Sequence, residues 1–252
     1  MRWLVLLALV GCDAPPGATD DFAAALGDGP PIDVYLIAGQ SNAVGGAKLA
    51  ALEDQAARRA YAGAPQAIGF AQEINCPTDG SGDPCELSTG WTELAARSGS
   101  FGIELSAGPR LRQRFGDRIA LLKEASNGSS LFGDWDSRGG DPLWRDLNDF
   151  IDARLAELPE GSRVAGLFWI QGNADAKVAA AADLYADNMS WLITRLRQER
   201  GCVPVVLDRL HAATVYPYRD IVRFEQDGLA ALLDDVVVVD VDDLALRSDD
   251  LP

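Results

Sequence analysis

The residues of this chain best suited to chemistry stand in three short polar clusters, each placed after a largely apolar stretch. The first is Gly39-Gln40-Ser41-Asn42, which stops the run Val34-Tyr35-Leu36-Ile37-Ala38. The second, Ser126-Asn127-Gly128-Ser129-Ser130, follows Ile119 to Ala125, and the third, Gln171-Gly172-Asn173-Ala174-Asp175, follows Val164 to Ile170. A serine hydroxyl becomes a nucleophile when a base takes its proton, and glycine N–H groups and carboxamides are donors for a developing oxyanion. The first cluster therefore offers Ser41 for acyl transfer, although Ser and Asn at this place also suit the cap of a following helix. The single histidine, His211, lies in Asp208-Arg209-Leu210-His211 after a further apolar run. It is a candidate base, and equally a pocket-lining or surface side chain. With one His and no His and Cys pair at ligand spacing, neither a metal centre nor a cofactor is expected.

Apolar runs of this length, bounded by glycine and polar turns, predict strands buried on both faces of a parallel sheet. Runs at 203–207 and 236–241 add two strands to the three already named. Between them lie helical patterns at 101–115, closed by Gly116, and at 146–158, closed by Pro159-Glu160-Gly161. Residues 183–200 and 219–233 repeat the pattern, the Ala-rich stretch 47–61 suits a helix, and 62–100 reads as a long irregular excursion. Strands alternating with helices predict an α/β three-layer sandwich, with a parallel sheet of about five strands and helices on both faces. The carboxyl ends of such strands share one rim, where ligands bind, so the three clusters are expected to converge. No internal repeat is present, which excludes a solenoid, and one domain over 31–252 suffices.

A formal charge of -16 and a pI near 4.4 exclude a nucleic-acid partner, whose phosphates require a basic surface. Residues 1–11 combine Arg2 with a short apolar core, as an export signal does. Leu9-Val10-Gly11-Cys12 resembles the bacterial lipobox, which implies a lipid on Cys12 and a membrane-anchored lipoprotein on the periplasmic or cell-surface side. Residues 12–30, rich in Asp, Ala, Pro and Gly, read as a flexible tether. Export permits disulfides, and Cys76 and Cys85 bracket a turn-rich loop that can close a local one. Cys202, before an apolar run, is expected to be a small buried side chain. Trp135, Trp144 and Trp169 suit either stacking on a sugar or the core, and the acidic stretch 240–250 suits either a cation site or a solvated loop.

In order and spacing, Gly39-Gln40-Ser41-Asn42, Asn127-Gly128-Ser129-Ser130-Leu131 with Trp135, and Trp169-Ile170-Gln171-Gly172-Asn173-Ala174-Asp175 resemble the blocks of the sialate O-acetylesterase domain. That family is a branch of the SGNH (GDSL-like) hydrolases that includes carbohydrate acetyl esterases, and the likeness covers roughly residues 32–252. It implies that Ser41 attacks an ester carbonyl, with a His as base and an Asp orienting it, on an acetylated carbohydrate substrate. It further implies an oxyanion hole from the backbone N–H groups of Ser41 and Gly128 and the side chain of Gln171. Gln40, Asn42, Asn173 and Asp175 would line the substrate pocket.

The sequence departs from that pattern in two places. Ile170 and Asn173 stand where the family has His and Glu, which removes a titratable pair beside the site. The family takes its base from a D-x-x-H motif after the last strand, and here Asp250 would be its Asp, with the His one residue beyond Pro252. Two expectations compete: a parent chain that runs on and carries the His, favoured by the lack of a helix after the fifth strand, or a complete chain without its base. His211 would be the alternative base. The competing functions are a serine O-acetylesterase, a non-catalytic carbohydrate-binding surface lipoprotein, and a thioesterase or lipase on the same fold.

Overall fold

The computed structural model describes residues 19–63, 66–74, 86–88, 90–96, 99–136, 138–139 and 142–244. Helix α1 (Thr19–Gly27) leads into β1 (Asp33–Gly39), and the short helix α2 (Ser41–Val44) starts two residues after that strand ends. Then follow β2 (Ala47–Lys48), α3 (Gln55–Ala62), β3 (Gln66–Ile74), β4 (Glu86–Leu87), β5 (Thr92–Leu94) and β6 (Ser100–Phe101). From there helices and strands alternate: α4 (Glu104–Phe115), β7 (Ile119–Ala125), α5 (Pro142–Leu155) and β8 (Arg163–Ile170). The remainder is α6 (Ala179–Asp183), α7 (Tyr185–Arg200), β9 (Val205–Asp208), α8 (Arg219–Leu232) and β10 (Val236–Val239).

The strand order in the main sheet is β10-β9-β8-β1-β7-β3-β4, with β5 also paired to β3. Every pairing from β10 across to β3 is parallel, while β4 and β5 join antiparallel at the far edge. Residues of alternate parity enter two cores. Leu36, Ala38, Leu122 and Trp169 face the helices α5, α7 and α8, whose Leu147, Ile151, Leu192, Ile193 and Leu229 fill that side. Tyr35, Ile37, Phe70 and Leu121 face α4 and α2 through Leu105 and Ala43. The expected α/β sandwich with helices on both faces is thus the fold, but its sheet has eight strands among the described residues and not about five, because β3, β4 and β5 extend it past β7.

The structure corrects several finer expectations. Residues 62–100 are not an irregular excursion, because β3 lies inside the sheet beside β7. Gln66, Gly69, Gln72 and Glu73 interrupt its apolar pattern, yet pairing and packing bury residues 68–72. Gly69 leaves room for Leu26, whose Cδ2 would lie 2.7 Å from a Cβ there. Leu26 belongs to α1, so the second half of the expected tether 12–30 is a helix, with Leu26 and Phe22 packed on the core. The expected helix 47–61 is split into β2, a 3-10 turn at Leu49–Ala51 and α3, which Asp54 caps by accepting from the Ala56 and Ala57 N–H groups. Cys202 is exposed, because it precedes β9 on a turn and does not enter the strand. Trp135, Trp144 and Trp169 are core residues, and Trp135 meets Trp169 edge to face at 5.3 Å. Cys12, Cys76, Cys85 and Asp250 lie outside the described residues.

Candidate active site

β1 is flanked by β7 on one side and β8 on the other, so the three polar clusters leave three adjacent strands at the same end. The junction is tight. Gly39 has φ 139° and a Cβ there would lie 2.1 Å from the Ile170 carbonyl oxygen, so no other residue fits without moving β8. The Gln40 N–H donates to the Ile170 carbonyl at 3.0 Å, and the Ser126 N–H donates to the Gly39 carbonyl at 3.1 Å. These bonds carry the pairing one residue past the strand ends.

Ser41 is the first residue of α2 and half-buried, Asn42 is exposed and Ala43 is buried. Gln40 occupies the cap position and makes no side-chain cap bond, so Ser41 and Asn42 are not spent on capping the helix. The Ala43 and Val44 N–H groups donate to the Gln40 carbonyl, at 2.8 and 3.0 Å. The Ser41 and Asn42 N–H groups precede them in the first turn, where no backbone acceptor lies behind. Gln40, expected to line the pocket, is buried, and its Oε1 accepts from the Gly172 and Ala174 N–H groups at 3.2 and 3.1 Å. It staples the first cluster to the third.

The second cluster turns sharply, with Ser129 donating from Oγ to the Ser126 carbonyl at 2.8 Å and Gly128 exposed at φ 73°. Nothing lies within 4 Å of a Cβ at Gly128, so the left-handed backbone alone favours glycine there. Beyond it, the Ser130 N–H and hydroxyl both donate to Asp134 Oδ2, at 2.7 and 2.9 Å.

Gln171 and Asp175 tie the second cluster to the third. Gln171 Nε2 donates to the Ser129 carbonyl at 3.1 Å and to Asp175 Oδ2, which commits both of its N–H groups. Its Oε1 is enclosed and has no hydrogen-bond partner among the described residues. The expected oxyanion-hole donor is therefore engaged in joining the rim, because the neighbouring acceptors compete for its amide. Asp175 is fully buried behind the rim and not in a pocket wall. Its carboxylate accepts from the Leu131 N–H at 2.9 Å, the Phe132 N–H at 3.0 Å and Gln171. Burial pushes its carboxyl above the ordinary range, and these bonds oppose that rise. Asn173 is buried between the two N–H groups held by Gln40.

His211 sits at the end of β9, with β8 between that strand and β1. Its Nδ1 accepts from the Ala213 N–H at 3.0 Å, and its Nε2 faces the Leu244 carbonyl at 3.3 Å. It is thus turned toward the segment after β10 and makes no hydrogen bond with Asp208, three residues earlier. Burial pushes the Asp208 carboxyl up to about 7, and its Oδ1 has no hydrogen-bond partner among the described residues. The acidic segment after β10 is held by arginines: Arg223 pairs with Asp242 at 2.7 Å and Arg209 with Asp240 at 3.3 Å.

Sequence reasoning missed a buried polar ring below the rim. The Tyr185 hydroxyl donates to the Gln171 carbonyl at 3.0 Å and accepts from Trp169 Nε1 at 3.2 Å. Gln226 of α8 reaches the carbonyls of Gln171 and Asp208 and accepts from the Leu210 N–H at 2.8 Å. The one signal available was a glutamine on the face of α8 that carries Val222 and Leu229.

A family model described as carbohydrate esterase, sialic acid-specific acetylesterase, matches residues 31–251. A probable carbohydrate esterase of Arabidopsis thaliana is 31% identical over 133 residues, which is 53% of this chain and 48% of that protein, so the match spans about half of each. The crystal structure of that plant protein superimposes with a TM-score of 0.63 at 23% identity, covering 87% of this chain and 90% of the other. A carbohydrate acetylesterase of Xanthomonas citri gives 0.58 at 22% identity, over 86% and 52%, and NanS gives 0.59 at 16%, over 83% and 77%. At these identities the structures testify to the fold.

Proposed function

The chain belongs to the sialic acid-specific acetylesterase family of carbohydrate esterases, and from that premise we propose that it removes O-acetyl groups from a carbohydrate through an acyl-enzyme on Ser41. The observation that carries this reading is the meeting of three polar clusters on adjacent strands, with Ser41 at the start of α2 and its hydroxyl not used as a cap. Ser41 Oγ forms a bond to the ester carbonyl carbon and gives its proton to the base, which later returns it to the departing sugar oxygen. The resulting oxyanion is met by the N–H groups of Ser41 and Gly128. Collapse expels the sugar hydroxyl, and water then releases acetate. Gln171 supports this arrangement from behind, by fixing Ser129 next to Gly128.

Asp250, in the segment after β10, is assigned as the carboxylate that orients the base. Two features support it. Asp240, Asp242 and Leu244 contact Arg209, Ala212 and His211, so the chain crosses from the edge strand over the end of β9, toward β8 and β1. From Leu244, the stretch to Asp250 can span roughly 20 Å, against about 10 Å for two strand spacings. We propose the same origin for its address as for its chemistry: export and a lipid anchor at Cys12, read from the sequence.

A second reading is a carbohydrate-binding surface lipoprotein, favoured by the engagement of both His211 ring nitrogens with Ala213 and Leu244. Hydrolysis of an acetylated sugar and labelling by a fluorophosphonate separate the two. The esterase reading expects both in the wild type and neither in Ser41→Ala. Equal hydrolysis by Ser41→Ala removes it, and an unlabelled wild type that still binds the sugar favours the second reading.

A further inference from the structure

Helix α2 carries the candidate nucleophile but has only four residues, far below the length at which a helix persists by itself. Its rigidity must come from what it touches. Directly beneath it lies a buried ion pair between Lys123 of β7 and Glu104 of α4, with Nζ 2.6 Å from Oε2 and side-chain exposures of 1% and 7%. Lys123 is the register partner of Ile37, on the strand that delivers Ser41. Its Nζ also donates to the Val44 carbonyl at 3.2 Å, one of the orphan carbonyls at the C-terminal end of α2. A cation there also suits the negative pole of the helix.

The other end of the pair is anchored too. Glu104 Oε1 accepts from the Gly102 N–H at 2.8 Å and occupies the first turn of α4, where a carboxylate is favoured. Gly102 in turn packs on Gly45, the residue that closes α2 at φ 81°. A Cβ on Gly45 would lie 2.5 Å from Gly102 Cα, and one on Gly102 would lie 2.6 Å from Glu104 Oε2 and 3.2 Å from Lys123 Nζ. Two glycines are thus in place where the backbones must close for the ammonium to reach Val44.

We propose that the Lys123–Glu104 pair is the positioning device of Ser41: a buried strut that fixes the C-terminal end of α2 and so the aim of the hydroxyl at its start. This rests on the reading of Ser41 as nucleophile. A charge pair buried purely for stability is replaceable by apolar residues of similar volume with little loss. A pair that aims a nucleophile is not, since a misplacement of about 1 Å costs on the order of 100-fold in rate.

The test is the double variant Lys123→Met/Glu104→Leu in the full chain, which removes both charges together and leaves neither unpaired. Amide exchange at Val44 and Gly45, urea unfolding, and the rate of Ser41 acylation by a fluorophosphonate are measured. The expected result is near wild-type unfolding, faster exchange at Val44 and Gly45, and acylation slowed by about 10- to 100-fold. Wild-type exchange together with wild-type acylation overturns the proposal. If the wild type itself does not acylate, the nucleophile reading fails, and the exchange rates still decide whether the strut holds α2. Should the double variant not fold, Gly102→Ala presses on the pair without removing a charge. The same loosening and slowing are expected there, and unchanged values overturn the strut.

Discussion

Asp208→Asn isolates the cost of enclosing one carboxylate at the end of β9. Burial pushes this carboxyl from 3.8 to about 7 against the smaller opposing pull of the Gln171 and Asp208 backbone, and its Oδ1 has no hydrogen-bond partner among the described residues. The difference of about 3 pH units, at about 1.4 kcal/mol each, amounts to about 4 kcal/mol, an upper bound if water reaches the ionised group. Below pH 3.8 the carboxyl is neutral in both the folded and the unfolded chain and costs nothing. Between 3.8 and about 7 the unfolded chain ionises while the folded one keeps its proton, so stability falls as pH rises. Above about 7 the loss is complete and constant. Asn has nearly the same shape and does not titrate, so the wild type and Asp208→Asn should diverge over that window alone. Urea unfolding of both proteins at half-unit steps from pH 4 to pH 8.5 reads the difference. Asn is expected to gain on the wild type by up to about 4 kcal/mol, rising with pH and then level. A difference that does not change with pH would mean that the carboxylate is hydrated in the folded protein, and would refute the reasoning.

Other consequences are as accessible. Asp175→Ala strands the buried Leu131 N–H and the part-buried Phe132 N–H and should cost about 3 kcal/mol in urea unfolding, with the proposed esterase activity falling in parallel. Gly39→Ala places a Cβ 2.1 Å from the Ile170 carbonyl and should cost more than about 3 kcal/mol or abolish soluble expression, whereas Gly128→Ala, with open space around it, should cost about 1 kcal/mol. Glu124 is held well above the ordinary carboxylate range by burial and then by the charges of Glu73, Asp146 and Asp149. Glu124→Gln should therefore melt higher than the wild type at neutral pH, with the advantage vanishing as the pH falls below about 4.5.

The strands β1 and β8 were legible because each is a largely apolar run that ends in glycine and small polar residues, the pattern of a strand buried on both faces, and β7 because Ile119 to Leu122 is apolar and a Gly and Ser cluster follows Lys123-Glu124-Ala125. The placement of Ser41 on their shared rim followed from that. β3 was not legible: its Gln, Gly and Glu residues break the run, and its burial depends on β7 and Leu26, which are distant in sequence. Side-chain roles were less accessible still. Gln171 and Asp175 were visible as polar residues in the third cluster, but which acceptor takes the Gln171 amide is decided by Ser129, 42 positions away. His211 was legible as a titratable group and not in its direction, which Leu244 sets from a segment without periodicity.

The packing of Leu26 over Gly69 changes how far an anchored molecule could range. With the lipid on Cys12 and a tether running to residue 30, the folded body could stand up to roughly 60 Å from the bilayer. With α1 starting at Thr19 and its Phe22 and Leu26 packed on the core, the stretch from Cys12 to the helix can span at most about 20 Å. For a molecule anchored as proposed, the accessible zone is then little deeper than the folded body, and the proposed substrate would be a glycan that comes to the membrane surface.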